Sequence, residues 1–281
     1  MATIGRLVEA RTTPEGDGMV VRRPFPSQAL GRLDPFLLLD EMGPMQFEPG
    51  SRKGFPPHPH RGFETVTYLL DGAFEHKDSR GHRGRLNPGD VQWMTAGGGV
   101  MHSEMPAADL REKGGRLHGL QLWVNLPAAD KMMTPRYQEF PAASLPVVHV
   151  VGGWVRILAG AFGGTKAVID TRTPIQYLHL HLDHAGSVRL SVPVGQKGFL
   201  YVLKGSVKAG PLTVPEGNLG VVEGDGELAV SADRCDAIFV TGVPLNEPVF
   251  QYGPFVMTTR AEIVQAVEDF QAGKFGQIPA A

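Results

Sequence analysis

Two short patterns carry the chemistry that this chain could perform. One is His58-Pro59-His60, in Pro56-Pro57-His58-Pro59-His60-Arg61-Gly62-Phe63-Glu64; the other is His102-Ser103-Glu104, shortly after Gly97-Gly98-Gly99. Residues i and i+2 of an extended strand point to the same face. Two such pairs, brought together across a sheet or barrel, would set three imidazoles and one carboxylate around one point. Such a set suits a borderline transition metal such as Fe(II). It suits Mg²⁺ or Ca²⁺ less, because those ions prefer oxygen. Four protein ligands on a six-coordinate ion leave room for substrate and O₂.

The elements that must position these residues read as strands. Candidates are Phe36–Asp40, Phe63–Leu70, Val91–Met94, Leu117–Val124, Val147–Val151, Val155–Ala159, Ile175–Asp183, Phe199–Leu203, Glu227–Ser231 and Asp236–Thr241. Turn residues separate them, among them Asp71-Gly72, Pro88-Gly89-Asp90, Lys204-Gly205 and Glu223-Gly224-Asp225. Many short strands without alternating helices predict barrels or sandwiches. One helix is predicted, Arg260–Ala272. Thr259 and Glu262 form a capping-box pattern, Ile263, Val264, Val267 and Phe270 form an apolar stripe for docking, and Gly273 is a stop signal.

A weak internal repeat relates Phe36–Asp40 to His179–Asp183, Tyr68–Gly72 to Tyr201–Gly205, and Gly89-Asp90 to Gly224-Asp225. It predicts two related β-domains with a boundary near Phe140–Pro146. Aligning Tyr68 with Tyr201 places His58 on Ser191, His60 on Pro193 and Glu64 on Lys197, so the second domain is expected to lack the metal site.

Bulk properties narrow the function classes. The chain has 281 residues, 42% of them hydrophobic and 20% charged, enough for a packed core in one large or two medium domains. A formal net charge of −2 supplies no global basic field for nucleic acid. One cysteine, Cys235, excludes an internal disulfide framework and fits a reducing, cytoplasmic setting. The apolar run at Met1–Glu9 breaks too soon for a signal peptide, and no stretch approaches the ~20 residues that span a bilayer.

The two ligand patterns with a Pro-Gly-Asp turn between them match the cupin pattern. Beyond that, the chain resembles the pirin family over nearly its whole length. The resemblance rests on His58–Tyr68, Asn87–Gly97, His102–Pro106, Gly119–Pro127 and Glu247–Met257. It implies an all-β bicupin: two cupin-type barrels with a short C-terminal helix. The expected divisions are 1–140 with the metal site, 146–258 without one, and 259–281 as helix and tail. It further implies His58, His60, His102 and Glu104 as ligands to one divalent transition metal, most often iron. Some pirin-like proteins have quercetin 2,3-dioxygenase activity, which implies a flat aromatic substrate, O₂, and Glu104 as general base. Others act on protein partners as transcriptional or metabolic co-regulators. An iron-gated regulator is therefore the alternative, with Arg22-Arg23, Arg52-Lys53 and Arg80, Arg83 and Arg85 as local positive charge.

The remaining candidates divide by role. Glu64 shares strand parity with His60 and is assigned to orienting a ligand or a water rather than to the metal. His179-Leu180-His181 reads as a strand face. His76, His82, His118 and His149 have no pairing pattern, although His118 and Gln121 lie near Trp123 and could line a pocket. Trp93, Met94 and Met101 read as barrel core, the alternative being the wall of an apolar pocket for a flat ligand. Gly97-Gly98-Gly99 lacks the Lys-Ser/Thr and helix of a phosphate loop and reads as a tight turn beside the metal strand. Cys235 has no nearby histidine to activate it.

Overall fold

The computed structural model describes residues 1–279. In chain order the first strands are β1 (Thr3–Glu9), β2 (Arg11–Glu15), β3 (Met19–Phe25), β4 (Phe36–Phe47), β5 (Phe55–His60) and β6 (Phe63–Asp71). There follow β7 (Phe74–Asp78), β8 (Arg83–Leu86), β9 (Val91–Thr95), β10 (Val100–Pro106), helix α1 (Ala108–Lys113), β11 (Gly115–Asn125) and β12 (Arg136–Phe140). The later strands are β13 (Val147–Ala159), β14 (Ala161–Phe162), β15 (Thr165–Lys166), β16 (Ile175–Val192) and β17 (Lys197–Ala209). The chain ends with β18 (Leu212–Pro215), β19 (Asn218–Glu223), β20 (Gly226–Gly242), β21 (Phe250–Tyr252), β22 (Phe255–Met257) and helix α2 (Arg260–Gln271).

The chain forms two compact units. The N-terminal unit comprises Thr12–Arg23, Phe36–Ala142 and the segment from Asn246 onward; the C-terminal unit comprises Met1–Arg11, Pro24–Pro35 and Ala143–Leu245. A linear division at 1–140, 146–258 and 259–281 does not describe this exchange. The reason lies in β1, whose buried Ile4 and Val8 alternate with exposed residues and pair as an edge strand with β19. In the other direction, β21, β22 and α2 belong to the N-terminal unit.

Both units are built on one antiparallel plan. In the N-terminal unit the main sheet runs β12-β9-β6-β11-β4-β3-β2, opposed by β5-β10-β7-β8. In the C-terminal unit the order is β1-β19-β17-β20-β16-β13. There, long bent strands replace pairs of short ones. β16 stands for β4 and β5, β17 for β6 and β7, and β20 for β10 and β11. The bend in β16 falls at His184 and Ala185, which have positive φ at the register shift between Asp183 and Gly186. Tyr68 and Tyr201 occupy equivalent strands and both are fully buried. The Gly89-Asp90 likeness is out of step: it precedes β9, whereas Gly224-Asp225 precedes β20, the counterpart of β10.

Helix α2 starts as its sequence demands. Thr259 accepts from the Glu262 backbone N–H while the Glu262 side chain accepts from the Thr259 N–H. Its stripe differs from the predicted one. Ile263 and Val267 pack with Phe255, Ala266 and Phe275, but Val264 is 57% exposed and Asp269 is buried instead. Among the described residues, no helix is long and apolar enough to cross a membrane.

Candidate metal centre

β5 and β10 are antiparallel neighbours in which His58 lies opposite His102. Strand parity brings His60 to the same side as His58. The three rings gather with centroids 4.3 to 4.7 Å apart. Their ligand nitrogens lie within 4.8 Å of one another, and among the described residues this is the group of that kind. His60 and His102 are buried and His58 is half-buried.

Hydrogen bonds aim the lone pairs. His58 Nδ1 donates to the Pro56 carbonyl at 2.8 Å, which leaves its Nε2 bare, 3.0 Å from His60 Nε2. His102 Nδ1 meets His76 Nε2 at 2.9 Å, while His102 Nε2 is buried without a hydrogen-bond partner. The Pro254 carbonyl lies near the His60 ring but makes no well-aligned bond to Nδ1. Burial, then the neighbouring His58, holds His60 and His102 well below the ordinary histidine pKa. His60 and His102 are therefore neutral and able to donate lone pairs to a cation. Three nitrogen donors with an unpartnered buried Nε2 fit a transition metal, and His76 supplies the outer hydrogen bond typical of metal-bound imidazole.

Glu104 is buried on β10, and both its oxygens are engaged. Thr67 Oγ1 donates to Oε1 at 2.8 Å, and Gln121 Nε2 donates to Oε2 at 2.7 Å. Trp123 Nε1 in turn donates to Gln121 Oε1 at 3.0 Å. The close group of ligand atoms comprises the three histidines and does not include Glu104. In the strand register Glu104 lies opposite Phe55 on one side and His76 on the other, with a register shift between His102 and Glu104. Glu64 is also outside the group; it is buried and accepts from Thr95 Oγ1 at 2.5 Å.

Two aromatic rings flank the cluster. Trp123 stands edge-on to His60 at 5.2 Å and lies 4.3 Å from Phe63, itself 5.0 Å from His60. Trp93 and Met94 are core residues with no exposure, and Met101 packs beside Phe255 and Phe275. Gln121, named from the sequence as a pocket candidate, lies beside the cluster, whereas Trp123, Phe63 and His76 are neighbours that spacing did not single out as site residues. The i, i+2 relation of Gln121 and Trp123 was the signal available for Trp123.

The end of β5 is held from several directions. Arg61 Nε donates to the Gly98 carbonyl at 2.8 Å, its Nη1 pairs with Asp269 of α2 at 2.8 Å, and the Phe275 ring covers it. Gly62, at φ +87°, has no room for a Cβ beside the Val256 carbonyl. Buried Lys131 donates to the carbonyls of Gly62 and Val256 and to Asn125 Oδ1, and burial pulls its pKa down to about 8. The glycine turn docks here too, since the Gly62 N–H donates to Gly97.

Other candidates lie elsewhere. His118 binds Glu41, which also pairs with Arg22. His181 bonds Asp236 and Asp183 and stacks on Trp154 in the C-terminal unit. Cys235 is buried; burial, then Asp236, raises its thiol pKa to about 12, which removes it as a nucleophile.

Comparisons with known proteins agree with this architecture. Residues 18–124 match the pirin family model, and residues 177–276 match that of the pirin C-terminal cupin domain. The chain is 46% identical to a pirin-like protein of Solanum lycopersicum, over 96% of this chain and 91% of that one. It is 43% identical to pirin of Homo sapiens, over 96% and 92%. The crystal structure of a quercetin 2,3-dioxygenase from Acinetobacter baumannii superposes with a TM-score of 0.94 at 38% identity, covering 99% of this chain and all of that one. With two matched domains and relatives aligned along almost their full length, this chain belongs to the pirin family.

Proposed function

We propose that the chain is a metal-dependent dioxygenase that opens flavonols such as quercetin, with Fe(II) held by His58, His60 and His102 and with Glu104 as the fourth ligand and general base. The observation that carries this reading is the trio of gathered imidazoles beside a buried carboxylate. It is supported by likeness to the Acinetobacter baumannii quercetin 2,3-dioxygenase. When bound, the ion would supply Lewis acidity that lowers the pKa of a flavonol 3-hydroxyl. Glu104 accepts that proton on a carboxylate oxygen, since each oxygen keeps a lone pair beyond the bond from Thr67 or Gln121. Gln121 and Trp123 hold the carboxylate in place, and the Trp123 and Phe63 rings offer a flat substrate an apolar wall. A cytoplasmic location belongs to the same proposal.

The test is oxygen uptake and carbon monoxide release by the iron-loaded protein over a panel of flavonols, after anaerobic purification and elemental analysis. Turnover with one iron per chain supports the assignment. No turnover with any flavonol at full loading would end it and leave the metal-gated regulator as the better account. The basic residues invoked for that regulator are partly engaged already: Arg22 with Glu41, Arg23 with Asp40 and Glu15, and Arg85 with Asp109.

A further inference from the structure

We propose that the C-terminal arm, made of β21, β22 and α2 and ending at Phe275, clamps the metal centre, and that Asp269 of α2 positions His60 through Arg61. The inference deepens the metal-binding reading of His58, His60 and His102, on which it rests. It makes metal binding and docking of the arm mutually dependent. The need for a clamp starts in β5. Its sequence, Phe55-Pro56-Pro57-His58-Pro59-His60, leaves only Phe55, His58 and His60 with a backbone N–H to donate. It is also an edge strand: β10 is its ladder neighbour, whereas β10 itself lies between β5 and β7. Few donors and one neighbour leave the strand that carries two of the three histidines dependent on anchors beyond its end.

The arm supplies those anchors at the residue after His60. Phe255 is bridged in parallel to Arg61. The Arg61 N–H donates to the Pro254 carbonyl at 3.2 Å, and the Val256 N–H donates to the Arg61 carbonyl at 3.0 Å. The Arg61 side chain then ties Gly98, in the turn before β10, to Asp269. The two side chains of that ion pair are only 5% and 10% exposed. Asp269 is itself fixed, since its Oδ1 accepts from Gln265 at 3.0 Å and from Lys274 at 2.7 Å.

A second grip falls on the residue before His102. Ser79 Oγ donates to the Phe275 carbonyl at 2.6 Å and accepts from the Met101 N–H at 3.1 Å. Met101 packs against Phe255 and Phe275, and the Phe275 ring lies so close to Gly99 that a Cβ there would strike it. The arm thus holds both histidine strands next to their ligands. Removing the Asp269 charge leaves the Arg61 guanidinium buried without its carboxylate, the costly way to break such a pair. Arg61 then moves toward solvent and carries the end of β5, and with it His60, out of the three-nitrogen set. Whatever docking of the arm does for metal affinity, metal binding does in return for docking, because the coupling is reciprocal.

The experiment is a Co²⁺ titration of the full chain, followed by the ion's visible absorption bands, with amide hydrogen exchange measured before and after loading. Asp269→Asn should weaken Co²⁺ binding about tenfold or more and shift the bands, while Asp269→Glu, which keeps the charge, should stay within about threefold of the wild type. Glu268→Gln, on the exposed side of the same helix, should match the wild type. Co²⁺ should slow exchange of the α2 amides in the wild type and leave them unchanged in Asp269→Asn. Ser79→Ala loosens the other grip, should also weaken Co²⁺ binding, and carries the test if Asp269→Asn does not fold. Wild-type affinity and bands in these two variants, or α2 exchange indifferent to Co²⁺ in the wild type, would overturn the clamp and leave the metal centre standing. A wild-type chain that takes up no Co²⁺ would overturn the metal reading itself, and the clamp with it.

Discussion

The sheet β5-β10-β7 of the N-terminal unit and the outer halves of β16, β20 and β17 share strand order and direction, yet one gathers histidines and the other is plain core. Across β5 and β10, His58 faces His102 and His60 faces Val100. Across β16 and β20, Val188 faces Val230 and Leu190 faces Leu228, all buried. None of these offers a lone pair. Each buried Val or Leu contributes about 1.5–3 kcal/mol. A buried polar atom without a partner, such as His102 Nε2, costs about 1–3 kcal/mol instead. The backbone plan therefore does not decide the chemistry. The N-terminal unit carries a local instability that a bound cation would relieve, and the C-terminal unit has packing in its place.

The largest expected effect breaks the metal side of this contrast. His60→Ala and His102→Ala should each lower metal affinity by about 10²-fold or more, to below retention on a desalting column. Each variant should still unfold cooperatively, because the β core stands without the ion. Absence of that transition would mean that the metal is structural.

Glu104→Gln should keep appreciable metal but lose flavonol oxygenation by about 10²–10⁴-fold, the usual contribution of a positioned general base. Oxygen uptake at matched metal occupancy decides it, and near wild-type turnover would remove Glu104 from that role.

The packing side is tested by Leu228→Ala, which should cost about 2–5 kcal/mol as a cavity in a filled core. His102→Ala in metal-free protein should cost less, because deleting the unpartnered Nε2 offsets part of the cavity and of the bond lost to His76. Urea denaturation of both variants measures the difference directly, and equal losses would contradict the contrast.

His76→Leu should weaken metal binding about 10–100-fold by releasing the His102 ring, and His76→Gln, which can restore a hydrogen bond to Nδ1, should recover part of the loss. The absorption bands of the Co²⁺-loaded protein report the ligand geometry alongside the affinity.

The smallest effect is a pH dependence confined to the C-terminal unit. Burial opposes charge on His181, but the hydrogen bonds and charges of Asp236 and Asp183 outweigh it and raise the pKa. Its stabilising contribution is thus complete below the unfolded value of about 6.5 and lost as pH rises through the higher folded value. His181→Asn should flatten the denaturation midpoint across that window.

Much of the metal centre was legible in one dimension, because strand parity is a local rule. The i, i+2 spacing alone puts His58 with His60 and His102 with Glu104 on common faces, and the capping box at Thr259 is likewise a matter of adjacent residues. Turn residues and strand lengths were enough for an all-β chain of two related halves. What needed the fold were relations across strands. Register set the true counterparts of the ligands: Ser191 and Pro193 are exposed, and Val188, Leu190 and Val192 face inward, one residue out of step with the sequence alignment. Register also brought His76 to His102 across 26 residues and turned the Glu104 oxygens to Thr67 and Gln121. Side-chain polarity cannot foretell that β1 closes the second barrel or that Asp269 turns inward to Arg61. Edge pairing and buried charge are settled by whichever partner the rest of the chain delivers, and that is a property of the tertiary structure.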